Sequence, residues 1–138
     1  MSLRVAATVA AAGIVGAVVR WGIAARLDDN WALLIVNVIG CGVVGWATAR
    51  HEQTRHRGLV QPGMGSRSRG IAGPSPGLTV GFCGALTSMS ALALQLARHL
   101  DDARVATAGA WLSLTAAACT AAFVMSRSAV LLGYGKRP

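Results

Sequence analysis

From Trp31 to Ala49 the chain reads WALLIVNVIGCGVVGWATA, nineteen residues without a single charge. Bilayer hydrocarbon is about 30 Å thick and takes about 20 apolar residues to cross as a helix. Inside lipid each backbone N–H and C=O must be paired within the spanning structure, so only helices and closed barrels are viable, and a run this long without alternation is a helix. Asp28 and Asp29 precede the run and Arg50 follows it, which marks its two ends as polar.

Three further runs lie around it. The first covers about residues 5–25, broken only by Arg20; the third covers about 78–97 and is dense in Gly, Thr and Ser; the fourth covers about 105–125 and is rich in Ala and Leu. The chain of 138 residues is 54% hydrophobic and 13% charged, whereas soluble domains carry charge on roughly a quarter of their residues. The expected fold is therefore an all-α membrane protein, a single domain over residues 1–138 with four transmembrane helices at about 5–25, 31–49, 78–97 and 105–125. Arg4, the apolar stretch after it and the Ala24-Ala25 pair have the layout of a secretory signal. With three more spans behind it, the first helix is expected to be retained.

Residues 51–76 replace the apolar pattern with Arg, Gly, Ser and Pro and read as a flexible linker. The other connections, 26–30 and 98–104, are short, so helices one and two are expected to form one hairpin and three and four another. Charge gives the orientation. Arg4, Arg50, Arg55, Arg57, Arg67, Arg69, Arg127, Lys136 and Arg137 fall on one side; Arg26, Arg98 and Arg104 fall on the other with all four aspartates. The positive-inside rule then sets both termini and the linker in the cytoplasm. The net charge of +8 is explained by these flanks, and nucleic acid is not an expected partner.

An enzyme is not expected, because no nucleophile, base and orienting group fall together. Cys41, Cys83 and Cys119 occur one per span without metal-site spacing and read as small apolar filler; His51, His56 and His99 lie in polar connections. Gly13, Gly16 and Ala17, and Gly40, Gly42 and Gly45, form small-residue faces that let membrane helices approach closely. Arg20 either snorkels to water or draws anions to a pore mouth. Asn37 is costly to bury unpaired, so it bridges helices or lines a watery path. The third span contains GFCGALTSMS, Gly81 to Ser90, with two glycines and three hydroxyls at mid-membrane. A break is expected there, tolerated where unwound backbone is buried in protein or lines a cavity. In the fourth span Thr107, Trp111, Thr115 and Cys119 recur every four residues and share a face, a polar track or a packing seam.

Three of these segments resemble the Fluc/CrcB family of small fluoride channels. Gly13, Gly16, Ala17 and Arg20 match its G-x-x-G-A-x-x-R; Val36, Asn37 and Gly40 match V-N-x-x-G; Gly81, Phe82, Gly84, Thr87 and Ser90 match G-F-x-G-x-x-T-x-x-S. The resemblance implies an antiparallel dimer with two pores that passes fluoride out of the cytoplasm, in the inner (plasma) membrane. It implies an anion path along Arg20, Asn37, Ser88, Ser90 and Thr115. It also implies a structural sodium ion at the dimer centre, on the backbone carbonyls of Gly84 and Thr87. Met89 and Leu92 depart from the family pattern, standing where it has two phenylalanines whose ring edges face fluoride; Cys41 and Gly42 replace a serine and a phenylalanine. The charge imbalance and these departures make a paralogous subunit in an antiparallel heterodimer the expected partner. Two other readings remain: a transporter resembling the small multidrug exporters, which lacks support because the first span has no carboxylate, and a non-conducting assembly partner of a fluoride channel.

Overall fold

In a computed structural model, which describes residues 3–60 and 76–134, the chain is built from five helices. They are α1 (Leu3–Ala24), α2 (Asp29–Val60), α3 (Pro76–Leu86), α4 (Met89–Asp101) and α5 (Val105–Tyr134). Four stretches are long and apolar enough to cross a membrane: Leu3–Ala24, Asp29–Gln53, Thr79–Asp101 and Val105–Gly133. The third of them contains the break between α3 and α4.

The helices run longer than the apolar runs that announced them. At 32 residues α2 extends about 48 Å at 1.5 Å per residue, well beyond the hydrocarbon thickness. The expected linker therefore loses its first ten residues to helix. His51-Glu52-Gln53 holds no helix breaker, and tertiary bonds secure it: Arg127 Nη2 donates to Glu52 Oε1 at 3.2 Å and Oε2 at 3.0 Å, and Gln53 Nε2 donates to the Val130 carbonyl at 3.2 Å. The same bonds carry α5 past Met125. The rest of the linker, and the basic residues Arg67, Arg69, Lys136 and Arg137, lie outside the described residues.

Packing follows a different pairing from the expected hairpins. The short connections hold, but the extensive contacts are α1 against α3 and α2 against α5. Both pairs are parallel. Along α1 and α3, Val9 meets Gly81 and Gly16 meets Phe82 and Leu86; along α2 and α5, Trp31 meets Trp111, Gly45 meets Phe123 and Glu52 meets Arg127. Glycine makes both approaches possible. A Cβ at Gly16 would sit 2.5 Å from the Phe82 carbonyl oxygen, and one at Gly81 or Gly45 would collide with the carbonyl of Val9 or Phe123. Gly42, by contrast, faces open space.

A tight turn reverses α4 into α5. Arg104 N–H donates to the His99 carbonyl at 2.7 Å and Ala103 N–H to that of Leu100 at 2.9 Å, the paired bonds of a Schellman cap. Ala103 takes the left-handed position with φ 56°, where glycine is the usual residue.

Candidate functional site

The break in the third span is where backbone chemistry is available. Thr87 N–H still donates to the Cys83 carbonyl at 2.9 Å, and its hydroxyl donates to the same oxygen at 2.8 Å. The ladder then stops. Ser88 takes extended angles (φ −148°, ψ 98°) and caps α4, its Oγ accepting from Ala91 N–H at 3.2 Å, as hydroxyls do at helix starts. As a result the carbonyls of Gly84, Ala85, Leu86 and Thr87 receive no hydrogen bond from the following turn.

What holds the break open comes from 51 residues away. Ser88 N–H donates to Oδ1 of Asn37 at 3.1 Å. Asn37 is only 5% exposed, so its carbonyl stands in for the missing backbone acceptor, and an unmet Ser88 N–H there would cost about 1–3 kcal/mol. The sequence left Asn37 either bridging helices or lining a path. It bridges α2 to the break with Oδ1, while its Nδ2 donor makes no hydrogen bond with any described residue.

Thr115 is the other buried polar residue, 6% exposed. The α2/α5 register sets it level with Asn37: Trp31/Trp111 lies on one side of that level and Gly45/Phe123 on the other. Thr8, Thr48, Thr87, Thr120 and Ser126 all return their hydroxyls to the preceding turn. Thr115 makes no such bond. Two donors without partners among the described residues therefore stand at one depth on neighbouring helices, beside the break. Ser90 is exposed and shares a 3.3 Å hydroxyl contact with Ser88.

Other expected residues are placed elsewhere. Arg20 is exposed on α1 one turn past Gly16, with no ion pair among the described residues, and α1 packs chiefly on α3. Gly84 is exposed and Thr87 half-buried, its methyl packed on Gly40. Leu92 is buried within the subunit's own fold at 4% exposure, whereas Met89 is 74% exposed. One contact escaped the sequence reading altogether: Gln95 Nε2 donates to Asn30 Oδ1, tying α4 to α2 at the end opposite the Glu52 pair. Its signal was Gln95 itself, the one amide within the third span.

Uncapped carbonyls and amide and hydroxyl donors therefore gather at one depth within the apolar spans. The profile of the CrcB-like protein, Camphor Resistance (CrcB) family matches residues 7–127. The chain belongs to the CrcB family. CrcB relatives carry the activity in their names. Over 115 residues the chain is 30% identical to the fluoride-specific ion channel FluC of Stutzerimonas stutzeri (strain A1501), covering 79% of this chain and 82% of that protein. It is 34% identical over 108 residues to the fluoride-specific ion channel FluC 2 of Natronomonas pharaonis, covering 67% of this chain and 92% of that one. The CrcB match takes in most of α1, the break and most of α5, and includes Arg20, Asn37, Gly84, Thr87, Ser88, Ser90 and Thr115. This is a family of fluoride channels and not of enzymes.

Proposed function

We propose that the chain is a subunit of a fluoride channel that releases fluoride from the cytoplasm and lowers its toxicity, with the Asn37 and Thr115 donors as the central anion contacts. Fluoride is small and strongly hydrated, and a pore must replace its water with closely set donors. The observation that carries the reading is a pair of donors at one depth on buried residues, Asn37 Nδ2 and the Thr115 hydroxyl, that hydrogen-bond to no described residue. Ser88 and Ser90 extend the line of donors on α4. Arg20, exposed at a span end, attracts anions towards the mouth through its charge.

The carbonyls of Gly84 and Thr87 would hold the sodium ion. The donor set fits, since they are hard oxygens freed by the break, and Gly84 is open on the subunit surface where a second copy can approach. Sodium there would supply charge that neutralises these dipoles and fixes the two breaks against each other. Because the Thr87 hydroxyl is engaged with Cys83, the main-chain oxygen is the ligand. Thr87→Ala is expected to keep sodium dependence and Thr87→Pro, which loses the bonded N–H, to disturb the break.

The partner is a paralogous subunit inserted the opposite way in the inner (plasma) membrane, with this chain's termini in the cytoplasm. Nine basic residues against three favour one orientation over an even mixture. The burial of Leu92 supports the second reading, a subunit whose own aromatic anion contacts are lost and whose role is to complete its partner's pore. Fluoride efflux from liposomes tests both: the chain alone, then with the paralogue. Sodium-dependent flux only from the pair supports the heterodimer. Full flux from the chain alone refutes it, and absence of flux from any combination refutes the channel reading.

A further inference from the structure

Charge is distributed unequally between the two ends of the spans, and the helix register gives the depth of each charge. Gly16 of α1 stands against Leu86 and Gly40 of α2 against Thr87, so the two glycines lie at nearly one depth. Gly40 is also the midpoint of the uncharged run 31–49. Since α1 and α3 are parallel, and the Asn37–Ser88 and Gln95–Asn30 bonds set α2 antiparallel to the third span, Arg4 lies at the same end as Arg50. At 1.5 Å per residue from the glycine level, Arg50 is about 15 Å out, Arg4 and Glu52 about 18 Å, Arg55 about 23 Å and Arg57 about 26 Å. Hydrocarbon ends about 15 Å from its centre and the headgroups add about 5–7 Å. These charges therefore occupy the headgroup layer and its outer edge.

Little at that end opposes them. Its one acidic residue, Glu52, is held by Arg127 at 3.0 Å, and no other Asp or Glu balances Arg4, Arg50, Arg55 and Arg57. Arg4 and Arg50 are exposed. The Arg50 guanidinium lies over the Trp46 ring, 5.4 Å from its centroid, one turn back towards the hydrocarbon, so its charge is held at the boundary and not carried out to bulk water. Trp46 is 38% exposed, and an indole suits that interface. The opposite end is built differently: Arg26, Arg98 and Arg104 stand with Asp28, Asp29, Asp101 and Asp102, so carboxylates there outnumber the cations.

We propose that Arg4, Arg50, Arg55 and Arg57 form a docking surface for anionic phospholipid headgroups in the leaflet at this end. Depth selects the occupant. Lipid phosphates are the anions resident in that layer, and a soluble polyanion would have to displace them to reach Arg4 or Arg50. An anionic leaflet attracts each nearby arginine by an amount worth about fivefold in binding, and the Arg57 level is still within about one Debye length of the headgroups. The inference needs the four spans but neither their orientation nor fluoride flux, so it stands or falls apart from the channel reading.

The test gives the full chain in detergent phosphatidylglycerol or phosphatidylcholine with the same acyl chains and counts the lipid retained per chain by native mass spectrometry. Phosphatidylglycerol should be preferred about 100-fold or more at about 0.1 M salt, and the preference should vanish near about 1 M, where the screening length falls to about 3 Å. Arg55→Gln with Arg57→Gln should lower that preference about 25-fold, whereas Arg26→Gln with Arg104→Gln, at the other end, should leave it unchanged. Melting in lipid-free detergent shows that each variant is folded; should the Arg55/Arg57 double variant melt early, Arg4→Gln, on a different helix, carries the test with an expected loss of about fivefold. Equal retention of the two lipids, equal losses from the two double variants, or displacement of phosphatidylglycerol by inorganic phosphate overturns the proposal.

Discussion

The two parallel helix pairs are built alike and used differently. Where α1 lies on α3, the seam is glycine against backbone: Gly16 on Phe82, Gly81 on Val9, with no side-chain hydrogen bond between the two helices among the described residues. Where α2 lies on α5, glycine again sets the approach at Gly45, but the same seam carries Trp31/Trp111 edge to face at 5.2 Å, the Asn37/Thr115 level and the Glu52–Arg127 pair. Lipid offers helices no hydrophobic drive to associate, so close backbone packing supplies the cohesion in both. The first pair spends its whole seam on that contact. The second makes its glycine contact at Gly45 and carries polar groups on either side of it.

The largest effect is expected where the second pair meets the break. Asn37→Ala removes both the acceptor for Ser88 N–H and the free donor; fluoride efflux should fall about 100-fold, with a stability loss of about 1–3 kcal/mol from the orphaned N–H. Asn37→Asp separates the two roles, since it keeps the acceptor and loses the donor. Melting close to wild type with flux still abolished is the expected result in detergent and liposome measurements, and wild-type flux would remove Asn37 from the path.

Next comes the packing of the first pair. Gly16→Val drives a side chain into the Phe82 carbonyl, and overpacking of this kind costs about 1–3 kcal/mol. Thermal melting should drop, and flux per folded channel should stay near normal because the α1/α3 seam holds neither Asn37 nor Thr115. A flux loss with unchanged melting would mean that the two pairs are not divided as described.

Thr115→Val keeps shape and deletes the hydroxyl. Since that hydroxyl has no partner to orphan, stability should hold or rise slightly while flux falls about tenfold. Unchanged flux would assign Thr115 to packing alone. The smallest effect belongs to Glu52→Gln, at the end of the second pair opposite Trp31/Trp111. Both partners are nearly half exposed, 41% for Arg127 and 45% for Glu52, and such pairs contribute at most about 1 kcal/mol, screened by salt. A melting shift that vanishes at high salt is expected.

The sequence by itself determined the number of spans and where one of them fails. Hydropathy is a property of each residue summed along a window, so four apolar runs are legible without knowing what they touch. GFCGALTSMS is likewise a local statement: glycine and hydroxyls weaken a helix wherever it sits. Helix ends were less legible, because α2 and α5 are prolonged by the Glu52–Arg127 and Gln53–Val130 bonds, which join residues about 75 apart. The choice of partners was decided only in three dimensions. Short loops suggested sequential hairpins, yet close approach at Gly16 and Gly81 pairs α1 with α3, and at Gly45 pairs α2 with α5, since cohesion in lipid depends on how closely two particular surfaces approach. The period of four along Thr107, Trp111, Thr115 and Cys119 gave a face without its neighbour; only the α2/α5 register showed that Thr115 stands beside Asn37, and that Asn37 bridges to Ser88.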